Sequence, residues 1–81
     1  MDILNEIELT IKETLPEAEV YVRDPQQDGQ HFEALVVSAQ FEGMPLIKQH
    51  KLVMNALKEQ LKEKVHALAL KTMTPKQWEN N

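Results

Sequence analysis

Val65-His66-Ala67-Leu68-Ala69-Leu70-Lys71-Thr72-Met73-Thr74-Pro75-Lys76-Gln77-Trp78 reads as a strand that runs into a short capped helix. Over Val65 to Thr72 the side chains alternate. His66, Leu68 and Leu70 project to one face, and Val65, Ala67 and Ala69 to the other. Thr74 then takes the position of a helix N-cap and Pro75 that of the first helical residue. Gln77 falls three residues after Thr74, which completes a capping-box pattern. Trp78 is expected to fold back onto the core. A histidine at the edge of a covered strand is the first candidate for function, which singles out His66.

The segment before this strand is helical. Pro45 suits a first helical turn, and Leu46, His50, Val53, Leu57 and Leu61 fall on one stripe, widened by Ile47, Leu52 and Met54. Lys48, Lys51, Lys58 and Lys62 sit mostly on the opposite side. The spacing predicts a helix to about Lys62, with room for a break near its start. Further back, Phe32 to Val37 contains the unbroken apolar run Ala34-Leu35-Val36-Val37, the pattern of a central strand with little of either face in water. Gly43, in the connection that follows, suits a backbone conformation other residues resist.

Ahead of these, Val20 and Val22 alternate with Glu19, Tyr21 and Arg23, as in a half-buried strand. The loop Asp24 to Gln30 is dense in turn formers. At the start, Asp2 can cap a helix whose apolar face is Ile3, Leu4, Ile7, Ile11 and Leu15. Pro16 ends it near Leu15, because the residue before proline avoids helical angles. A strand–helix–strand crossover is right-handed, which makes the second and third strands parallel neighbours. The first strand pairs antiparallel on the other side of the second. An α+β domain follows, spanning residues 1–81, with a three-stranded mixed sheet and its main helices on one face.

Composition narrows the function. Eighty-one residues bury a small core, roughly 60–65% of the unfolded surface. There is no cysteine, which removes disulfides, thiolate nucleophiles and thiolate ligands. No apolar run approaches the ~20 residues that cross a bilayer, and the N-terminus lacks the regions of a signal peptide. A cytoplasmic protein is the expectation. The net charge of −4 argues against a dedicated nucleic-acid binder, since neutralising phosphates supplies most nonspecific affinity. No nucleophile elbow, phosphate-cradling glycine loop or His-Glu-x-x-His helix occurs, so no enzyme reaction is indicated.

Two blocks resemble the BolA family: Phe41-Glu42-Gly43, His50-Lys51-Leu52-Val53 and Ala56-Leu57 in the middle, and Val65-His66-Ala67-Leu68, Lys71-Thr72 and Thr74-Pro75-Lys76-Gln77-Trp78 at the end. Asp28-Gly29-Gln30-His31-Phe32 is similar to the entry of the second strand in short bacterial members. The resemblance implies a class II KH-like fold of order α-β-β-α-α-β-α. It also implies a monothiol glutaredoxin partner and a 2Fe-2S cluster to which glutaredoxin and glutathione bring thiolates. The position of His66 would supply a histidine ligand. A second His or Cys is expected from the loop between the first two strands. The loop Asp24 to Gln30 contains neither, and His31 at the strand edge is the nearest candidate. No cofactor is expected in the isolated protein, and a homodimer is admitted. Lys71, Thr74, Pro75 and Trp78 are the expected docking surface.

Each candidate has a plainer reading. A histidine at a strand start is often structural or half-exposed, and His31 is equally well read as a solvated loop-edge residue. His50 on the apolar stripe reads as a core histidine satisfied by a hydrogen bond. Lys48, Lys51, Lys58 and Lys62 form a candidate nucleic-acid face of a stress-linked transcriptional regulator. The Gly-x-x-Gly clamp of KH domains is replaced by Glu42-Gly43-Met44-Pro45-Leu46. A solvated helix face is the plainer account of these lysines.

Overall fold

The computed structural model describes residues 2–80. Helix α1 (Ile3–Thr14) is followed by strands β1 (Glu19–Arg23) and β2 (His31–Val37). A single 3-10 turn (Ala39–Phe41) leads to helices α2 (Leu46–Ala56) and α3 (Lys58–Glu63). Strand β3 (Ala67–Met73) and the short helix α4 (Pro75–Glu79) complete the chain. The sheet order is β1-β2-β3. Strand β2 pairs antiparallel with β1, Val22 opposite Ala34, and parallel with β3, His31 opposite Ala67 and Met73 opposite Val37. The mixed sheet expected from the sequence is therefore present, with the apolar run of β2 at its centre. Among the described residues, no helix is long and apolar enough to cross a membrane.

The core lies between the sheet and the helices α1 to α3. Ile7 and Ile11 of the first helix and Leu15 at its C-cap meet Val20, Phe32 and Val36 of the sheet and Val53, Leu57 and Phe41 from beyond it. Each such aliphatic or aromatic side chain contributes about 1.5–3 kcal/mol by leaving water. The expected caps form. Asp2 Oδ1 accepts from the backbone N–H of Asn5 at 2.8 Å, and Thr74 and Gln77 make the reciprocal bonds of a capping box.

Four local expectations need correction. The third strand starts at Ala67 rather than Val65. The N–H groups of Lys64 and Val65 both go to the carbonyl of Gln60, so Val65 still belongs to the helix end and its side chain joins the core. The helical break lies at Leu57 (φ −96°, ψ 12°), near the end of the segment and not its start. Pro45 is the N-cap of α2 and not part of its first turn. Finally, Leu46 and Ile47 stand in solvent, 60% and 66% exposed, and the buried members of α2 are Gln49 and Val53. The apolar stripe begins later than the periodicity suggested: the core takes Val53, with Leu52 packed against it, and neither Leu46 nor Ile47 joins it.

Helix α4 goes round to the other face. Trp78 packs on Tyr21, ring centroids 5.7 Å apart, and Tyr21 alternates with the core-facing Val20 and Val22. Trp78 thus covers the far side of the sheet instead of returning to the main core. Val37 and Met73, on that same side, are buried.

Candidate metal-donor site

The parallel register brings the starts of β2 and β3 to one edge. The carbonyl of Gln30 clasps that edge, accepting from the N–H of His66 at 3.1 Å and of Ala67 at 3.0 Å. His31 and His66 become neighbours as a result. Their ring centroids are 5.4 Å apart with planes at 78°, an edge-to-face arrangement. His66 is exposed and His31 half-buried, so both imidazoles are reachable from outside. An open polar hollow of about 380 Å³ adjoins His66, bounded by Gln30, Val65 and the end of α3 from Leu61 to Lys64.

The loop before His31 is organised by two aspartates. The Asp24 carboxylate accepts from the N–H of Gly29 at 2.9 Å and of Asp28 at 3.3 Å. Gln27 and Gly29 have positive φ, 54° and 68°, which lets the chain turn back within so few residues. Asp28 in turn accepts from the N–H of Gln30 at 2.9 Å and of His31 at 3.0 Å, and its second oxygen lies 2.7 Å from His31 Nδ1. The Gln30 N–H, then the His31 ring and the His31 N–H, hold the Asp28 carboxyl far below the usual range, with desolvation opposing them. In the sequence Asp28 stands out only as a turn former within the Asp28 to Phe32 block, and its bond to His31 is new with the structure. Its signal was a turn-forming aspartate three residues ahead of a histidine.

These donors fit part of a metal site. Imidazole suits iron and zinc, and the two rings share one accessible edge. Among the described residues no group of three or more His, Cys, Asp or Glu side chains is disposed to hold a metal ion. The donors that this edge brings together are the two imidazoles.

The remaining candidates are dispersed. Lys71, Thr74, Pro75 and Trp78 lie toward the opposite end of β3. Thr74 is seven residues beyond Ala67, which at the rise of a strand is roughly 23 Å. A second, larger hollow of about 440 Å³ lies on the α4 side of the sheet between Tyr21, Arg23, Glu33, Leu35 and Lys71. It contains no histidine, and its Arg23 and Glu33 are paired with each other, so the histidine edge is the better donor site despite its smaller hollow. Lys48, Lys51, Lys58 and Lys62 are all exposed.

His50 is only half-buried; the buried polar residue of α2 is its neighbour Gln49. Gln49 Nε2 donates to the Met44 carbonyl at 2.8 Å, and its Oε1 accepts from Thr72 Oγ1 at 2.7 Å. The core role expected of His50 belongs to Gln49, one position round the helix.

Comparison with known proteins agrees with the fold and with the family resemblance. The family profile described as BolA-like protein matches residues 2–77, and the chain belongs to that family. It is 39% identical over 69 residues to an uncharacterised protein of Rickettsia prowazekii, covering 85% of this chain and 90% of that protein. It is 47% identical over 57 residues to BolA-like protein 1 of Mus musculus, covering 70% of this chain but 42% of the mouse protein. The structure of a bolA protein homologue from Coxiella burnetii superposes with a TM-score of 0.81 at 39% identity, covering 98% of this chain and 99% of that one.

Proposed function

We propose that this chain is a non-enzymatic partner of a monothiol glutaredoxin and lends His66, with His31 beside it, to a shared 2Fe-2S cluster. The observation that carries the reading is the pair of imidazoles gathered 5.4 Å apart at an exposed sheet edge, with no third ligand of the chain's own among the described residues. A half-set of nitrogen donors calls for a partner, and thiolates from glutaredoxin and glutathione would supply the rest. Histidine in place of thiolate raises the potential of a 2Fe-2S centre, which is the chemistry such a site lends. The role fits iron–sulfur cluster maturation or trafficking, or iron regulation. Docking would run along β3 from the histidines toward Lys71, Thr74, Pro75 and Trp78.

Co-expression with a monothiol glutaredoxin followed by anaerobic visible spectroscopy tests the reading. A coloured complex is expected only when both proteins are present. A wild-type complex that forms without colour would overturn it. The second reading, a transcriptional regulator with a KH-like nucleic-acid face, draws on the exposure of Lys48, Lys51, Lys58 and Lys62. It predicts salt-sensitive binding that needs no metal.

A further inference from the structure

Asp28 meets His31 at two places, the backbone N–H at 3.0 Å and ring Nδ1 at 2.7 Å. An ionised carboxylate only accepts hydrogen bonds, so the neutral imidazole beside it keeps its proton on Nδ1. The lone pair then falls on Nε2, the nitrogen away from Asp28. Metal-bound histidines characteristically give their other N–H to a carboxylate or carbonyl, which fixes tautomer and ring orientation. Asp28 is itself fixed, since its backbone N–H is taken by Asp24 and its Oδ1 accepts the N–H of Gln30.

We propose that Asp28 is the positioning residue of His31: it holds the Nδ1–H tautomer and presents Nε2, beside His66, as a metal donor. This rests on the reading of the edge as a cluster half-site. It also gives a physical reason why a histidine outside the loop can serve where the loop offers neither His nor Cys.

Asp28→Asn separates this role from a structural one. The amide oxygen can still accept the backbone N–H groups of Gln30 and His31. The NH₂ then faces Nδ1 as a donor and drives the ring proton to Nε2. Long-range proton–nitrogen correlation spectra of the isolated chain, taken where the imidazoles are neutral, read the tautomer directly. The wild-type His31 is expected as Nδ1–H and the variant as Nε2–H, with the amide shift of Gly29, which donates to Asp24, retained. In the glutaredoxin complex, Asp28→Asn should then reproduce the spectral change or cluster loss of His31→Ala.

A wild-type His31 protonated on Nε2, or a tautomer indifferent to Asp28→Asn, overturns the proposal. So does a His31→Ala complex identical to wild type, or an Asp28→Asn complex that matches wild type while His31→Ala differs. Absence of any cluster with the wild-type chain would instead overturn the functional reading. The tautomer spectra of the isolated chain still decide the hold of Asp28 on His31.

Discussion

The ring of His31 stands edge-to-face with the ring of His66, centroids 5.4 Å apart, because one carbonyl, that of Gln30, accepts the N–H groups of both His66 and Ala67. The two donors are gathered by backbone hydrogen bonds of the sheet edge, so they need no metal to bring them together. His66→Ala should leave the domain folded, since the exposed ring contributes little packing. It should bleach or spectrally shift the cluster complex. His31→Ala should do the same to a smaller degree, because glutathione or water can take the place of the second nitrogen. The measurement is the visible spectrum of each complex at equal folded fraction. A His66→Ala complex indistinguishable from wild type would remove the leading ligand.

The buried bond from Thr72 Oγ1 to Gln49 Oε1 joins β3 to α2. Thr72→Val removes the donor but keeps the shape, leaving the amide oxygen without its partner in a site that is 7% exposed. The expected loss is about 1–3 kcal/mol, the cost of a buried acceptor left unmade. Urea unfolding reads it directly; a loss below a few tenths of a kcal/mol would show that water reaches Gln49.

The contrast between Gln49 and His50 shows what the sequence could and could not tell. Element order, caps and the central place of β2 were legible because each rests on local pattern: proline positions, the Thr74–Gln77 box, the run Ala34 to Val37. Burial on α2 was not. A helical stripe fixes a face only to within about one residue, and Leu46 and Ile47 in the first turn of α2 stand exposed. At the site, the nearness of His31 and His66 follows from the parallel pairing of β2 and β3, which sets Ala67 opposite His31, together with the Gln30 carbonyl. The loop bonds of Asp24 and Asp28 were not legible, since hydrogen bonds inside an irregular loop leave no period to read.

The exposed lysines supply a further test. Net charge is −4 and the Glu42 to Leu46 segment has one glycine followed by Met44 and Pro45, so binding to DNA or RNA is expected to be weak and to fall steeply with salt. Lys51→Glu with Lys58→Glu should abolish what remains. Tight, sequence-selective binding at physiological salt in a shift assay would move the nucleic-acid reading ahead of the cluster reading.

The last prediction concerns acid stability. Lys64 Nζ lies 3.0 and 3.2 Å from the two oxygens of Glu6 and ties the end of α3 to α1; Gln60 Nε2 donates to the same carboxylate at 3.2 Å. The Lys64 bond, against some desolvation, holds the Glu6 carboxyl below its ordinary value. A carboxyl whose folded value is depressed stabilises the fold fully above its unfolded value and loses that contribution as pH falls through the folded one. Glu6→Gln cannot titrate. The wild type should therefore be more stable than Glu6→Gln at neutral pH, and the gap should close on acidification. Asp28 loses its own contribution in both proteins and cancels from the comparison. Because Lys64 and Glu6 are partly exposed, with side chains 54% and 27% accessible, added salt should narrow the neutral-pH gap. Urea midpoints of the two proteins across a pH series give the answer. A gap that stays constant or widens toward acid would mean that folding does not depress Glu6 and that the ion pair with Lys64 adds nothing to the α1–α3 tie.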